Sequence, residues 1–398
     1  MWIFARQFED LAEADLRFLI DSKVAERRTL EYKAKMYGSK DEDIREMLRD
    51  VASMANAEGG VIVIGLDETK DGVARELVDV PDAKVQAKRL EDSCLANISE
   101  RIPGLAARPV SFSGGDVIVV RIPHSYRRPH MITFRGATDF WLRHDDQKGR
   151  MSVAEIRTAT TATEDLVMKV ERFIEERRRA MWSQRTGPLF GLTATPLLLE
   201  EGRFSVSDQR LLNFLRDPPT HRSIAGNATV ADPRGTIQPS IFGLRSTFDA
   251  QPGVYSRLDL FRNGHVEFAL FDMRWLAPKG DGPTIVTGWM VVELVMNLAL
   301  LVRALRLLID VADPYLFTLS MWECRGLSMH PSGGASWLPG VLGGNEYAEG
   351  NDLLIGPILA PADEAPAATA RTIADLFWNA FRFFRCPYFD AEGKFNLS

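Results

Sequence analysis

Between Ile44 and Leu66 the chain changes its hydrophobic period once. Ile44, Met47, Leu48, Val51, Met54 and Ala55 recur at helical spacing and put one apolar stripe on a helix over 40–57. Asp41, just ahead of the stripe, fits its N-terminal cap and an acidic first turn. Gly59-Gly60 follows, the kind of pair that ends a helix in the left-handed region. Val61 to Leu66 then runs apolar without alternation, the pattern of a strand covered on both faces. A helix that delivers into such a strand points to an α+β domain.

The flanking segments extend that domain. Residues 8–22 read as an amphipathic helix and 29–34 as a short strand. A helix is expected over 82–101, with Val85, Ala87, Leu90, Cys94 and Ile98 on its apolar face. Val110–Phe112 and Asp116–Ile122 flank Gly114-Gly115 as a hairpin, and Phe140–Arg143 is a further strand. Ser152 and Glu155 form a capping-box pattern that opens a helix near 153–160. Residues 1–160 are therefore expected as one mixed-sheet domain.

Residues 163–182 carry a thin apolar stripe and the run Arg177-Arg178-Arg179, which reads as a connecting helix over 161–186 or a self-association helix. From Gly187 the composition shifts, and 187–398 is expected as a second α+β domain of unrecognised fold with a regulatory or oligomerising role. Its strands are placed at Phe204–Val206, Gly243–Phe248, Tyr255–Phe261, His265–Phe271, Tyr315–Cys324 and 352–359. Asn263-Gly264 is a strong hairpin turn. A buried helix is expected over 289–311, a Gly/Pro/Ser-rich loop over 326–351 and an aromatic helix over 367–385.

Bulk properties narrow the function classes. A chain of 398 residues suggests two domains, and its formal net charge of -6 means that nucleic-acid binding needs a local basic patch. That patch is sought in 121–150, where Arg127, Arg128, Arg135, Arg143, Lys148 and Arg150 are interleaved with Tyr126, Phe134, Phe140 and Trp141. Basic groups take phosphates and aromatic rings can stack on bases, although the same pattern also suits a solvated loop and sheet edge. Cys94, Cys324 and Cys386 have no metal or disulfide spacing, which fits a reducing, cytoplasmic compartment. The apolar stretch 289–311 holds Glu293, Arg303, Arg306 and Asp310, so no membrane span is expected there. The phosphate-loop pattern GxxxxGK[ST] is absent.

Several ordered motifs resemble one family. Glu26, then Leu30-Glu31-Tyr32-Lys33, then Ala55-Asn56-Ala57-Glu58-Gly59-Gly60, then Gly65-Leu66-Asp67 are similar to the core of the Schlafen-type AlbA domain. Ile122-Pro123-His124-Ser125, Arg128-Pro129-His130, Phe140-Trp141-Leu142-Arg143 and Met151-Ser152-x-x-Glu155 continue the likeness, which covers about residues 8–160. The resemblance implies a metal-dependent endoribonuclease acting on tRNA or structured RNA, in bacterial defence against phage. Glu26, Glu31 and Asp67 would hold Mg²⁺ or Mn²⁺, and Lys33 would assist at the phosphate. Arg127, Arg128, Arg135 and Arg143 would take the nucleic-acid backbone. A single copy of the domain implies a homo-oligomer, at least a dimer.

On residues alone other readings stand. Glu26 and Glu31 converge only if the chain bends at Arg27-Arg28-Thr29; otherwise Glu26 pairs with a neighbouring arginine and Asp67 serves a turn. Two further functions fit the same sequence: a non-catalytic DNA- or RNA-binding regulator using the same groove, and a protein-interaction scaffold.

Overall fold

The computed structural model describes residues 8–144, 147–183, 190–219, 235–251, 254–271, 284–309, 311, 313–329, 345–347, 350–362, 364–390 and 392–395. Most of the loop expected at 326–351 lies outside these residues, as do Asp145, Asp146, Gly187 and Asp310. Two compact units are present, Met1–Val167 and Met168–Ser398. Both mix helices and sheets, in agreement with the expected α+β class.

The first unit opens with a 3-10 turn, Phe8–Asp10, and α1 (Glu13–Asp21). Then come β1 (Leu30–Lys33), α2 (Asp41–Asn56), β2 (Gly60–Ile64), β3 (Leu66–Glu68) and β4 (Ala74–Leu77). They are followed by α3 (Ala83–Asn97), β5 (Ile98–Ser99), β6 (Ala106–Phe112), β7 (Gly115–Ile122), β8 (Met131–Ile132), β9 (Asp139–His144) and β10 (Gln147–Arg150).

The main sheet has the order β1-β2-β7-β6. β1 runs parallel to β2, and the other pairs are antiparallel. A parallel pair needs a crossover, and α2 supplies it. β2 is covered on both faces, as its unbroken apolar run required. Ile62 and Ile64 pack with Met47, Leu48 and Val51 of α2 and Leu90 of α3. Val61 and Val63 pack with Leu16 and Leu19 of α1. A second antiparallel sheet, β10-β9-β8-β5, and the hairpin β3-β4 complete the unit.

Local chemistry explains the turn between α2 and β2. Gly59 has φ +72 and its N–H donates to the Met54 carbonyl at 2.9 Å. Gly60 has φ +155, and a Cβ there would lie 2.5 Å from the Thr29 carbonyl oxygen. The helix stop and the close approach of β1 both require glycine. Other expectations are corrected. The N-cap of α2 is Lys40, whose N–H donates to Asp43 Oδ2 at 3.3 Å, and Asp41 is the first residue of the acidic first turn. Val85 is 67% exposed, outside the apolar face of α3.

The helices expected near 153–160 and at 163–182 are one helix, α4 (Val153–Ser183). Its capping box forms: Glu155 N–H donates to Ser152 Oγ at 3.2 Å, and Ser152 N–H to Glu155 Oε2 at 2.7 Å. No glycine or proline interrupts the sequence from Val153 to Thr186. The division between the two units falls within this helix.

The second unit contains β11 (Phe190–Pro196), α5 (Gln209–Arg216), β12 (Thr236–Pro239), β13 (Gly243–Gln251), β14 (Val254–Phe261), β15 (Val266–Leu270) and β16 (Thr284–Val286). It continues with α6 (Gly288–Leu308), β17 (Tyr315–Met321), β18 (Leu327–Met329), β19 (Asn345–Glu346), β20 (Leu353–Ala360) and α7 (Pro366–Ala380). An antiparallel sheet has the order β12-β13-β14-β15-β11-β17-β20, and β16-β18-β19 form a small sheet. The expected Asn263-Gly264 hairpin is present, with Leu260 opposite Val266.

Alternate residues of the large sheet, among them Phe190, Leu192, Phe268 and Leu319, join α6 and α7 in the main core. On the other face Ala269 and Trp322 pack with Met181 of α4. The strand expected at Phe204–Val206 is a turn leading into α5, which is capped by Asp208 accepting the Arg210 N–H at 2.9 Å. Among the described residues β20 pairs with β17 alone, and Gly356-Pro357 sits where the register slips between Phe317 and Leu319. Among the described residues no helix is long and apolar enough to cross a membrane.

Candidate functional site

β1 carries the acidic motif, and strand alternation sorts it. Leu30 and Tyr32 join the α1-side core, which leaves Glu31 and Lys33 on the opposite face. Glu31 is only 6% exposed. One of its oxygens is ion-paired with Lys33 Nζ and the other with Arg143 Nη1 of β9. Burial pushes the Glu31 carboxyl up, but the charges and hydrogen bonds of Lys33 and Arg143 prevail and hold it below the ordinary value.

The pairing continues inward. Lys33 Nζ also lies 3.6 Å from Asp50 Oδ2 of α2. Asp50 is fully buried, accepts a 2.7 Å hydrogen bond from the Tyr37 hydroxyl and is ion-paired with Lys148 of β10. Burial pushes the Asp50 carboxyl up and Glu31 adds to this, while Lys33 and Lys148 oppose it. Burial alone would push the Lys33 ammonium down, but Asp50 and Glu31 raise it, so it stays charged.

Glu26 reaches the same neighbourhood through the required bend. Arg27 and Leu30 exchange backbone hydrogen bonds of 3.0 and 2.9 Å, so the chain folds back at Arg27-Arg28-Thr29. Glu26 Oε1 accepts the Tyr32 N–H at 2.6 Å, and the Glu26 N–H donates to the Gly72 carbonyl at 2.8 Å. Burial raises the Glu26 carboxyl, helped by Glu31, although the Tyr32 hydrogen bond works against it.

Its acidic neighbour is Glu68, which the sequence did not single out. Burial and the adjacent Glu26 carboxylate push Glu68 up to about 7. Glu68 Oε2 is buried without a hydrogen-bond partner among the described residues. Two carboxyls held this way share a proton or take a cation, because both cannot stay ionised at little cost.

Asp67 does not join them. Asp67 is ion-paired with Arg75 across the β3-β4 hairpin, whose register shifts between Asp67 and Glu68. The structure thus gathers Glu26, Glu31, Lys33 and Glu68 and leaves Asp67 apart. Among the described residues no three His, Cys, Asp or Glu side chains stand as a metal-holding group. With both Glu31 oxygens taken by cations, the donor set that remains is the Glu26–Glu68 pair. Its hard oxygens suit Mg²⁺ or Mn²⁺, ions that use one or two carboxylates and complete their shell with water and substrate phosphate. The cysteine thiols are pushed up to about 12 by burial and offer no soft alternative.

The basic stretch divides by exposure. Arg127 is half exposed, lies over the Tyr126 ring at 5.5 Å and comes within 3.7 Å of Glu100. Arg128 Nη1 donates to the Ala57 carbonyl at 3.2 Å, beside the Gly59-Gly60 turn. Arg135 is exposed and pairs with Asp41 at 3.2 Å. Arg143 is 4% exposed and committed to Glu31, so it presents no charge to a ligand in solvent. The Trp141 ring already lies under Arg49 at 4.8 Å and Arg150 at 6.0 Å.

His130 is buried, and burial lowers its pKa. Asn56 of the Ala-Asn motif clamps this stretch to α2. Its Nδ2 donates to the carbonyls of His130 at 3.0 Å and Trp141 at 2.9 Å, and its Oδ1 accepts the His130 N–H at 2.6 Å.

Residues 26–152 match the family model described as Schlafen, AlbA_2. Among solved structures the chain is similar to the DIP2311 protein from Corynebacterium diphtheriae, at 17% identity over 34% of this chain and 24% of that one, with a TM-score of 0.24. The chain thus spans about a quarter of that protein's length. It is also similar to the N-terminal domain of a RecG-helicase-related protein from Nitrosomonas europaea, at 18% identity over 36% of this chain and 94% of that one, with a TM-score of 0.27. No curated protein matches the chain.

Proposed function

The first unit carries a Schlafen-type AlbA_2 domain over residues 26–152, and from that premise we propose that it binds RNA and hydrolyses its phosphodiester backbone with Mg²⁺ or Mn²⁺ held by Glu26 and Glu68. The observation that carries this is the acidic pair itself, with a Glu68 pKa of about 7 and a buried oxygen lacking a hydrogen-bond partner among the described residues. A divalent ion there supplies charge neutralisation at the phosphate and a more acidic bound water.

The chain's own residues orient that chemistry. The Tyr32 N–H fixes one Glu26 oxygen and leaves the other for the cation. Glu31 acts as a positioning residue, holding Lys33 at the inner edge of the pair. Arg127 and Arg128 take flanking phosphates, which anchors the backbone without reading sequence. tRNA or another structured RNA is the favoured substrate.

A mixed tRNA pool incubated with the full chain in Mn²⁺ tests this. Cutting is expected, with loss of at least a hundredfold in Glu26→Gln and Glu68→Gln and little change in Asp67→Ala. Intact RNA with the parent protein, or cutting that survives Glu68→Gln, would overturn it.

A second reading has its own support: Lys33 and Arg143 neutralise both oxygens of Glu31 without any metal. On that reading the domain binds RNA or DNA in EDTA and cuts neither.

A further inference from the structure

The second unit has a cavity of about 340 Å³ walled by Phe173 and Arg177 of α4, Phe242 of the β12-β13 turn, and Phe261, Arg262 and Asn263 at the end of β14. That volume is at the small end of ligand sites, roughly 300–1,000 Å³, and suits one ring system with one polar group.

The cavity is built rather than left over. Phe242 and Phe261 stack with centroids 5.1 Å apart and planes 26° apart. Arg177 packs against both rings, at 5.2 and 4.8 Å, while its Nε and Nη2 bind Glu267 at 3.0 and 3.2 Å. That guanidinium is fully committed. The backbone is locked as well. Arg262 N–H donates to the Phe242 carbonyl at 2.8 Å, and the Arg262 carbonyl accepts the Arg203 N–H at 2.9 Å. Asn263 Oδ1 accepts the His265 N–H at 3.1 Å.

Two side chains of this frame keep surface exposed at the cavity. Phe242 is 41% exposed although its other side is stacked, and the adjoining Ile241 is 87% exposed. Both side chains line the mouth of the cavity. The Arg262 side chain is half-buried and forms no ion pair among the described residues. An aromatic ring and an arginine side chain lining one cavity suit a planar ligand ring that bears an anion. Glu176 and Glu201, both exposed, also line the cavity and disfavour a polyanion.

We propose that this cavity binds a free nucleoside 5′-monophosphate, with the base against Phe242 and the phosphate at Arg262. Sites of this kind hold the base by stacking and the phosphate by forked hydrogen bonds from guanidinium. Nothing in this depends on catalysis by the first unit.

Titration calorimetry of the full chain tests it, with adenosine and guanosine 5′-monophosphate, adenosine, adenosine 5′-triphosphate, inorganic phosphate and a short single-stranded RNA. A monophosphate is expected to bind at least tenfold more tightly than adenosine, the triphosphate or the RNA. Phe242→Ala and Arg262→Gln are each expected to weaken it roughly tenfold or more. Circular dichroism should match the parent in both variants, while Phe242→Ala, which loses its stack on Phe261, should lower the melting temperature by a few degrees and Arg262→Gln should leave it unmoved. Failure of either monophosphate to bind, affinity unchanged in both variants, or a preference for the triphosphate or the RNA would overturn the proposal.

Discussion

Each unit buries a network of charged side chains, and the two networks are balanced differently. In the second unit Glu267 and Asp259, almost wholly buried, are met by Arg177, Arg257 and Arg245 at 2.6–3.2 Å. Burial raises the Glu267 carboxyl, but His265 and Arg177 outweigh it and hold the group at about 2. In the first unit the deep acids Glu31 and Asp50 are likewise met by Lys33, Arg143 and Lys148. One step further out, Glu26 and Glu68 face each other and both are raised. Acids matched by cations in place hold a fold together. Acids left facing one another raise each other and hold a proton more firmly.

The largest test breaks the matched network. Glu267→Gln leaves Arg177 without its anion and Arg257 with Asp259 alone, and should destabilise the second unit by about 3–5 kcal/mol in denaturant unfolding. The pH profile carries the same signature. The folded pKa of about 2 lies below the ordinary 4.5, so Glu267 stabilises above 4.5, and that contribution fades as pH falls from 4.5 toward 2. The variant should lack this acid limb. Glu31→Gln comes next, at about 3 kcal/mol in the first unit, because Lys33 keeps Asp50 as a nearby anion.

The smallest effect has the opposite sign. Folded Glu68 keeps its proton to about 7 while the unfolded side chain loses it near 4.5. Stability contributed by the protonated form therefore falls as pH rises from 4.5 to 7. Glu68→Gln should raise the melting temperature at pH 8, leave it unchanged near pH 4 and flatten the profile between. Solvent screening keeps the gain within about 1 kcal/mol. Asp67→Ala is its control, because an exposed pair with Arg75 should leave the profile unmoved. A Glu68→Gln profile that matches the parent would erase the contrast between the two networks.

The sequence was most legible where structure is local. The α2 stripe, the Gly59-Gly60 stop and the doubly buried β2 depend on neighbours within a few residues, and all three are present. The Asn263-Gly264 turn is equally local. β11 was missed although it lies in the interior of the large sheet. Phe-Gly-Leu-Thr-Ala-Thr-Pro shows no strong strand pattern, and its threonines are satisfied only by distant groups. Thr193 hydrogen-bonds Thr318 at 2.6 Å and Thr195 hydrogen-bonds His265 at 2.9 Å.

The site was legible in the same uneven way. Glu26, Glu31 and Lys33 converge because the bend at Arg27–Thr29 exists. Whether Asp67 or Glu68 faces them is decided by the pairing of β3, which composition does not report. Alternation along a short strand was the available signal, and it needed one face to be known first. Arg143 looked like its basic neighbours, yet it is buried against Glu31 on β1, 112 positions away in sequence.

Pro357 bears on how copies of the chain behave at high concentration. β20 is an outer strand, and an outer strand is a template on which a second molecule's backbone can dock. A proline has no N–H to offer an incoming strand, and the register slip at Gly356-Pro357 breaks the straight row of donors and acceptors. Leu354 and Leu359 lie exposed on either side of it, a sticky surface on an otherwise orderly strand. A strand broken in this way is a poor template for fibre growth, so Pro357→Val should shorten the time that a concentrated solution stays clear.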